Sequence, residues 1–166
     1  MFKTLLLYSI LVSNTFAVNI NPILIADKVN GTLELYNPKT NQQIVITAAL
    51  YGKTKSDKYD EAVYDGKKRK NNVTPAGYYT VRQAFSNHYN RPMLIFITGE
   101  KRIMTIHPVY LGSKVQKRQE RLDSITAVDN RITGGCINVP AAFYYKHLDK
   151  LPNGTILHIK HEIELI

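Results

Sequence analysis

One cysteine, Cys136, stands in a chain of 166 residues. A single thiol excludes any intramolecular disulfide and leaves three roles: an intermolecular bridge, an inert buried side chain, or a nucleophile. Beyond residue 17 no run is long and apolar enough to cross a membrane. Internal repeats, low-complexity tracts and linkers are absent too, so the length reads as one domain with room for a real core. Acidic residues are scarce, 13 against 22 Lys and Arg, and the formal net charge is +9. That balance suits an anionic partner such as wall polymer, nucleic acid or lipid headgroups, and equally a soluble protein that is merely basic.

Residues 1–17 differ from the rest. Lys3 is their one charge, Leu5 to Val12 is a short, mostly apolar run, and Thr15-Phe16-Ala17 places small residues where a signal peptidase reads. The expectation is an export leader cleaved after Ala17, with a domain over 18–166 and no stable membrane span once the leader is removed. An uncleaved anchor is the alternative, disfavoured by the shortness of the run.

The remainder reads as β structure. Ile23-Leu24-Ile25-Ala26 is apolar, Asn30-Gly31 signals a hairpin, Thr32 to Tyr36 alternates, and Gln43 to Leu50 carries β-branched residues. These segments suggest a three-strand meander. Lys53 to Asn72 is polar and holds the basic four-mer Lys67-Lys68-Arg69-Lys70, more readily a solvated loop than an anion site. Thr74-Pro75-Ala76-Gly77 turns into a strand, and Met93–Thr98 and Arg102–Ile106 form a hairpin across Gly99-Glu100-Lys101. Gly112 to Ile132 is strongly charged and partly helical; Pro140 opens a helix, Pro152-Asn153-Gly154 closes it, and Thr155 to Ile166 alternates as a last strand. About seven strands and one or two helices predict a mostly β sandwich or barrel.

The chemistry concentrates at Arg131-Ile132-Thr133-Gly134-Gly135-Cys136-Ile137-Asn138. Paired glycines allow torsions closed to other residues and let a substrate approach the main chain. Such a turn can also aim backbone N–H groups at one point, as an oxyanion hole requires. A structural cysteine after a Gly-Gly turn is the bland alternative. A thiol nucleophile needs a base. Of the five histidines, His158 and His161 fall on opposite faces of the last strand and make a poor metal pair, His147 lies on the late helix, and His88 lies in a polar loop. His107 ends an apolar strand just before Pro108, a position that suits an active-site group as well as a satisfied edge histidine.

His107 followed by Thr133-Gly134-Gly135-Cys136-Ile137-Asn138 resembles the signature of the L,D-transpeptidases, the YkuD-like family of cell-wall cross-linking enzymes. Thr74-Pro75-Ala76-Gly77-Tyr78-Tyr79-Thr80-Val81 resembles the family's second hallmark, and Leu33-Glu34-Leu35-Tyr36 with Gly52-Lys53 its opening strands. The resemblance implies an L,D-transpeptidase-like β fold and a thioester acyl-enzyme on Cys136, formed from peptidoglycan stem peptides. In it His107 is the base, held by a backbone carbonyl such as that of Pro108. The amides of Gly134, Gly135 and Cys136 form the oxyanion hole, and Thr133 and Asn138 shape the pocket. It further implies a cell-envelope or periplasmic location, acylation by carbapenems, and no metal or organic cofactor. Two departures stand out: Gly134 replaces the usual His, and the spacer from His107 to Thr133 is long, with Lys114 to Arg121 as a possible lid over the cleft.

Other readings keep part of this picture. An L,D-carboxypeptidase or a wall-protein-releasing amidase would use the same nucleophile with water as acceptor. A non-catalytic wall-binding module would keep the fold alone. Nucleic-acid binding is weakest, because Tyr78 and Tyr79 are not interleaved with Lys and Arg as on a stacking platform.

Overall fold

The computed structural model describes residues 21–58, 72–98 and 102–162. The expected leader at 1–17, the basic four-mer at 67–70 and the loop at 99–101 lie outside the described residues. Strands β1 (Ile23–Asp27), β2 (Thr32–Asn37) and β3 (Gln42–Ala48) form the expected antiparallel meander. Its first turn uses Gly31 at φ +65°, left-handed backbone that glycine adopts without Cβ strain. Then come β4 (Tyr51–Gly52), β5 (Gly77–Ser86), β6 (Arg91–Ile97) and β7 (Ile103–Pro108). Helix α1 (Arg118–Leu122) lies between two single 3₁₀ turns, Lys114–Gln116 and Ala127–Asn130. Strands β8 (Arg131–Thr133) and β9 (Ile137–Val139) flank the cysteine loop. Helix α2 (Ala141–Phe143) runs on as a π-helical turn to Leu148, and β10 (Thr155–Ile159) follows.

Eight strands make one mixed sheet in the order β3-β2-β1-β10-β5-β6-β7-β9, and β4 pairs with β8 apart from it. The domain is mostly β, as expected. Strands β4, β8 and β9 hold two or three residues each, too few to show a period of two, so the sequence pattern passes over them. The last strand stops at Ile159, and residues 163–166 of its expected span lie outside the described residues; His161 lies past its end, 3.4 Å from Asp57 Oδ2.

Alternation decides what is buried. Leu33 and Leu35 of β2, Leu24 and Ala26 of β1, and Leu157 and Ile159 of β10 meet Phe143, Tyr144 and Leu148 of the late helix in one core. The opposite face is solvated, and there Tyr78 and His158 stack with ring centroids 4.1 Å apart. Lys28 carries its charge into the interior. Lys28 is 1% exposed, and its Nζ donates to Asp57 Oδ1 at 2.7 Å and to the carbonyls of Ser56 and Thr74, each at 3.0 Å. Glu162 lies 3.6 Å from the same ammonium and pairs with Arg131, so the interior charges are matched.

Candidate active site

The turn that carries Cys136 is built by two threonines. Thr133 Oγ1 accepts from Gly135 N at 3.1 Å and donates to Cys136 O at 2.6 Å, closing the loop on itself. Thr74, fully buried, accepts from Gly52 N at 2.9 Å and donates to Gly135 O at 2.8 Å. In a trans peptide the carbonyl and the following N–H point opposite ways. Thr74 therefore draws the Gly135 carbonyl inward and turns the Cys136 N–H away from it. The bond from Gly135 N to Thr133 also corrects an expectation, because a donor already engaged to a hydroxyl is not open to an oxyanion. The two glycines differ sharply. Gly135 sits at φ +120°, and a Cβ there would fall 2.5 Å from Val73 O and 3.0 Å from Met104 Cε. At Gly134 a Cβ would meet only Asn72 Oδ1, at the ordinary contact distance of 3.6 Å.

The candidate base, His107, is placed by sheet register. Strands β7 and β9 run parallel with His107 opposite Asn138 and Pro108 opposite Val139, so residues far apart in the chain become neighbours. His107 Nδ1 lies 2.8 Å from Pro108 O, and its Nε2 lies 3.0 Å from Asn138 Nδ2. A carbonyl can only accept, so Nδ1 carries the hydrogen and Nε2 presents a lone pair. Asn138 Oδ1 in turn accepts from Arg118 Nη1 at 2.5 Å. Burial lowers the pKa of His107 below its ordinary 6.5; the Pro108 bond opposes this, and the charges of Arg118 and Arg91 add to it. A lowered pKa favours the neutral ring, the form a general base requires.

Cys136, half-buried, shares a cavity of about 310 Å³ with His107, Thr133, Gly134 and Asn138. Arg91, Arg118, Tyr89 and Tyr110 also line it, and no carboxylate does among the described residues. None of the other histidines lines it: His147 packs on Phe143, His158 on Tyr78, His161 lies beside Asp57, and His88 stands edge-on to the wall residue Tyr89. Sequence reasoning missed Thr74 as a support, and Arg91 and Arg118 as parts of the wall. Thr74 stood inside a motif already singled out, whereas Arg118 was one cation among many in the expected lid.

No protein-family model matches the sequence, and no curated protein matches it significantly. Solved structures do match in shape. The helical cell shape determining protein Pgp2 of Campylobacter jejuni aligns with a TM-score of 0.58 at 15% identity, over 86% of this chain and 48% of that one. An L,D-transpeptidase of Xylanimonas cellulosilytica aligns at 0.50 and 17% identity, over 84% of this chain and 60% of that one. The L,D-transpeptidase LdtMt1, solved in complex with imipenem, aligns at 0.50 and 12%, over 85% and 59%.

The chain has the fold of L,D-transpeptidase catalytic domains. It spans about half to three-fifths of the length of these solved chains. Gly134, expected to stand where the family signature usually carries His, offers only its backbone and room for a Cβ at contact distance from Asn72 Oδ1.

Proposed function

We propose that this chain is an exported, cysteine-dependent acyltransferase of the L,D-transpeptidase type, acting on peptidoglycan stem peptides. The observation that carries the reading is one cavity holding the lone thiol beside a neutral histidine whose Nδ1–H is held by Pro108 O. In the proposed reaction, Cys136 Sγ attacks the carbonyl carbon of a stem-peptide bond while its proton passes to His107 Nε2. The C–O π pair moves onto oxygen, and the Cys136 N–H, turned outward by the Thr74 bond on Gly135 O, is the donor best aimed to meet it. Collapse expels the amine, which takes the proton from His107, and leaves a thioester. An acceptor amine then attacks that thioester, with His107 receiving and returning the proton again.

Intact mass after incubation with a carbapenem tests the nucleophile. One adduct on the protein, absent from Cys136→Ala, is expected, in keeping with the imipenem complex of LdtMt1. No adduct on folded protein would overturn the reading and leave a wall-binding module on the same fold. Product analysis with an added acceptor amine separates transfer from hydrolysis: cross-linked product supports the transferase, and hydrolysed product alone makes the chain a carboxypeptidase or amidase.

A further inference from the structure

We propose that Arg118 is a positioning residue: by fixing the side-chain amide of Asn138, it holds His107 in the tautomer with Nε2 unprotonated, its lone pair accepting from Asn138 Nδ2 until the Cys136 proton displaces that donor. The proposal rests on reading His107 as the base. Its elements are a continuous chain of hydrogen bonds, Arg118 Nη1 to Asn138 Oδ1 at 2.5 Å, Asn138 Nδ2 to His107 Nε2 at 3.0 Å, and His107 Nδ1 to Pro108 O at 2.8 Å.

A carboxamide has one accepting end and one donating end, and rotation exchanges them. A guanidinium only donates, so Arg118 admits only the oxygen, which directs the NH₂ group at the imidazole. Facing that donor, Nε2 is favoured with a lone pair and disfavoured with a proton. Without Arg118 the amide can turn over. Its oxygen would then accept from an Nε2–H, and an imidazolium would be satisfied at both nitrogens, by Asn138 Oδ1 and Pro108 O. The base would rest already protonated and could not receive the thiol proton.

The surroundings leave this choice to Arg118. Arg91 reaches the cavity from β6, Cys136 from the loop before β9, and Tyr89 and Tyr110 from the segments flanking β6 and β7. Arg91 is held over the rings of Tyr89 and Tyr110, 5.9 and 5.5 Å from their centroids, and donates to Tyr89 O. Among the described residues no carboxylate lines the cavity to favour the imidazolium. Arg118 is braced in turn, its Nε donating to Gln116 Oε1 at 2.7 Å. The long stretch between His107 and Thr133 thus delivers the group that sets the amide.

Histidine-labelled NMR of the full chain tests the relay without any turnover, with the His107 signals identified by loss in His107→Gln. In the unsubstituted protein the nitrogen shifts of neutral His107 should report Nδ1–H and a bare Nε2; the opposite tautomer would overturn the proposal. Arg118→Met should raise the His107 titration midpoint. In an Asn138→Leu background the same substitution should raise it by less, because only the lost charge then acts. Equal rises in both backgrounds, or none in either, would overturn the relay. These readouts are independent of the carbapenem adduct, so failure of the acyltransferase reading would be seen separately. In activity, Arg118→Met should shift the acid limb of the acylation rate upward in pH while Cys136 remains alkylatable at high pH.

Discussion

Replacing Thr74 by valine removes one oxygen and keeps the shape. The hydroxyl is fully buried and serves two main-chain groups, the N–H of Gly52 and the carbonyl of Gly135. In Thr74→Val both lose their partner where water does not reach. A buried unsatisfied group costs about 1–3 kcal/mol, so two suggest a loss of about 3 kcal/mol after some relaxation. Domains of this size hold only about 5–15 kcal/mol in all. With a urea slope of about 2 kcal/mol/M, the unfolding midpoint should fall by about 1.5 M at unchanged slope. Thr74→Ser keeps the oxygen and loses one methyl, so it should cost about 1 kcal/mol. Function should follow the same hydroxyl. Once the Gly135 carbonyl is released, the Cys136 N–H is no longer held in direction, and carbapenem acylation of still-folded Thr74→Val should slow about tenfold or more, given about 2.7–4 kcal/mol for a well-placed oxyanion donor. A midpoint within about 0.3 M of the parent, with an unchanged acylation rate, would refute the reasoning.

Three further outcomes follow from other parts of the molecule. Gly135→Ala should destabilise by about 2 kcal/mol or more, since its Cβ meets Val73 O at 2.5 Å on left-handed backbone, whereas Gly134→Ala, whose Cβ meets only Asn72 Oδ1 at an ordinary contact distance, should change stability by under about 0.5 kcal/mol; thermal melts of the two decide it. His107, with its pKa lowered chiefly by burial, should keep the acylation rate high down to a pH below the ordinary 6.5. Its linkage has the matching sign: the unfolded chain binds this proton first, so the histidine's contribution to stability falls as pH drops below about 6.5, measurable as a loss in urea midpoint absent from His107→Gln. Lys28→Met should cost about 3 kcal/mol, because Asp57 then loses its 2.7 Å cation in a largely buried setting while Glu162 keeps Arg131; a change under about 1 kcal/mol by urea unfolding would contradict that view of the cluster.

Local chemistry made much of this protein readable in one dimension. Alternation in Thr32 to Tyr36 and the β-branched run after Gln43 announce strands, because a strand's faces repeat every two residues. Asn30-Gly31 announces a turn because Gly31 must take a positive φ. Cys136, His107 and the glycine pair stood out for similar reasons, since reactive groups and torsional freedom are properties of single residues. Tertiary structure decided how they combine. Asn138 meets His107 only because β7 and β9 pair in parallel across 31 positions, and Thr74 reaches the Gly135 carbonyl across 61. Arg118 is one cation in a charged stretch until the chain folds its guanidinium onto Asn138. Nothing in the sequence marks which glycine N–H is already taken by Thr133. Hydrogen-bond satisfaction depends on distances in space, and those are set by the long-range pairing of strands rather than by the neighbours of a residue along the chain.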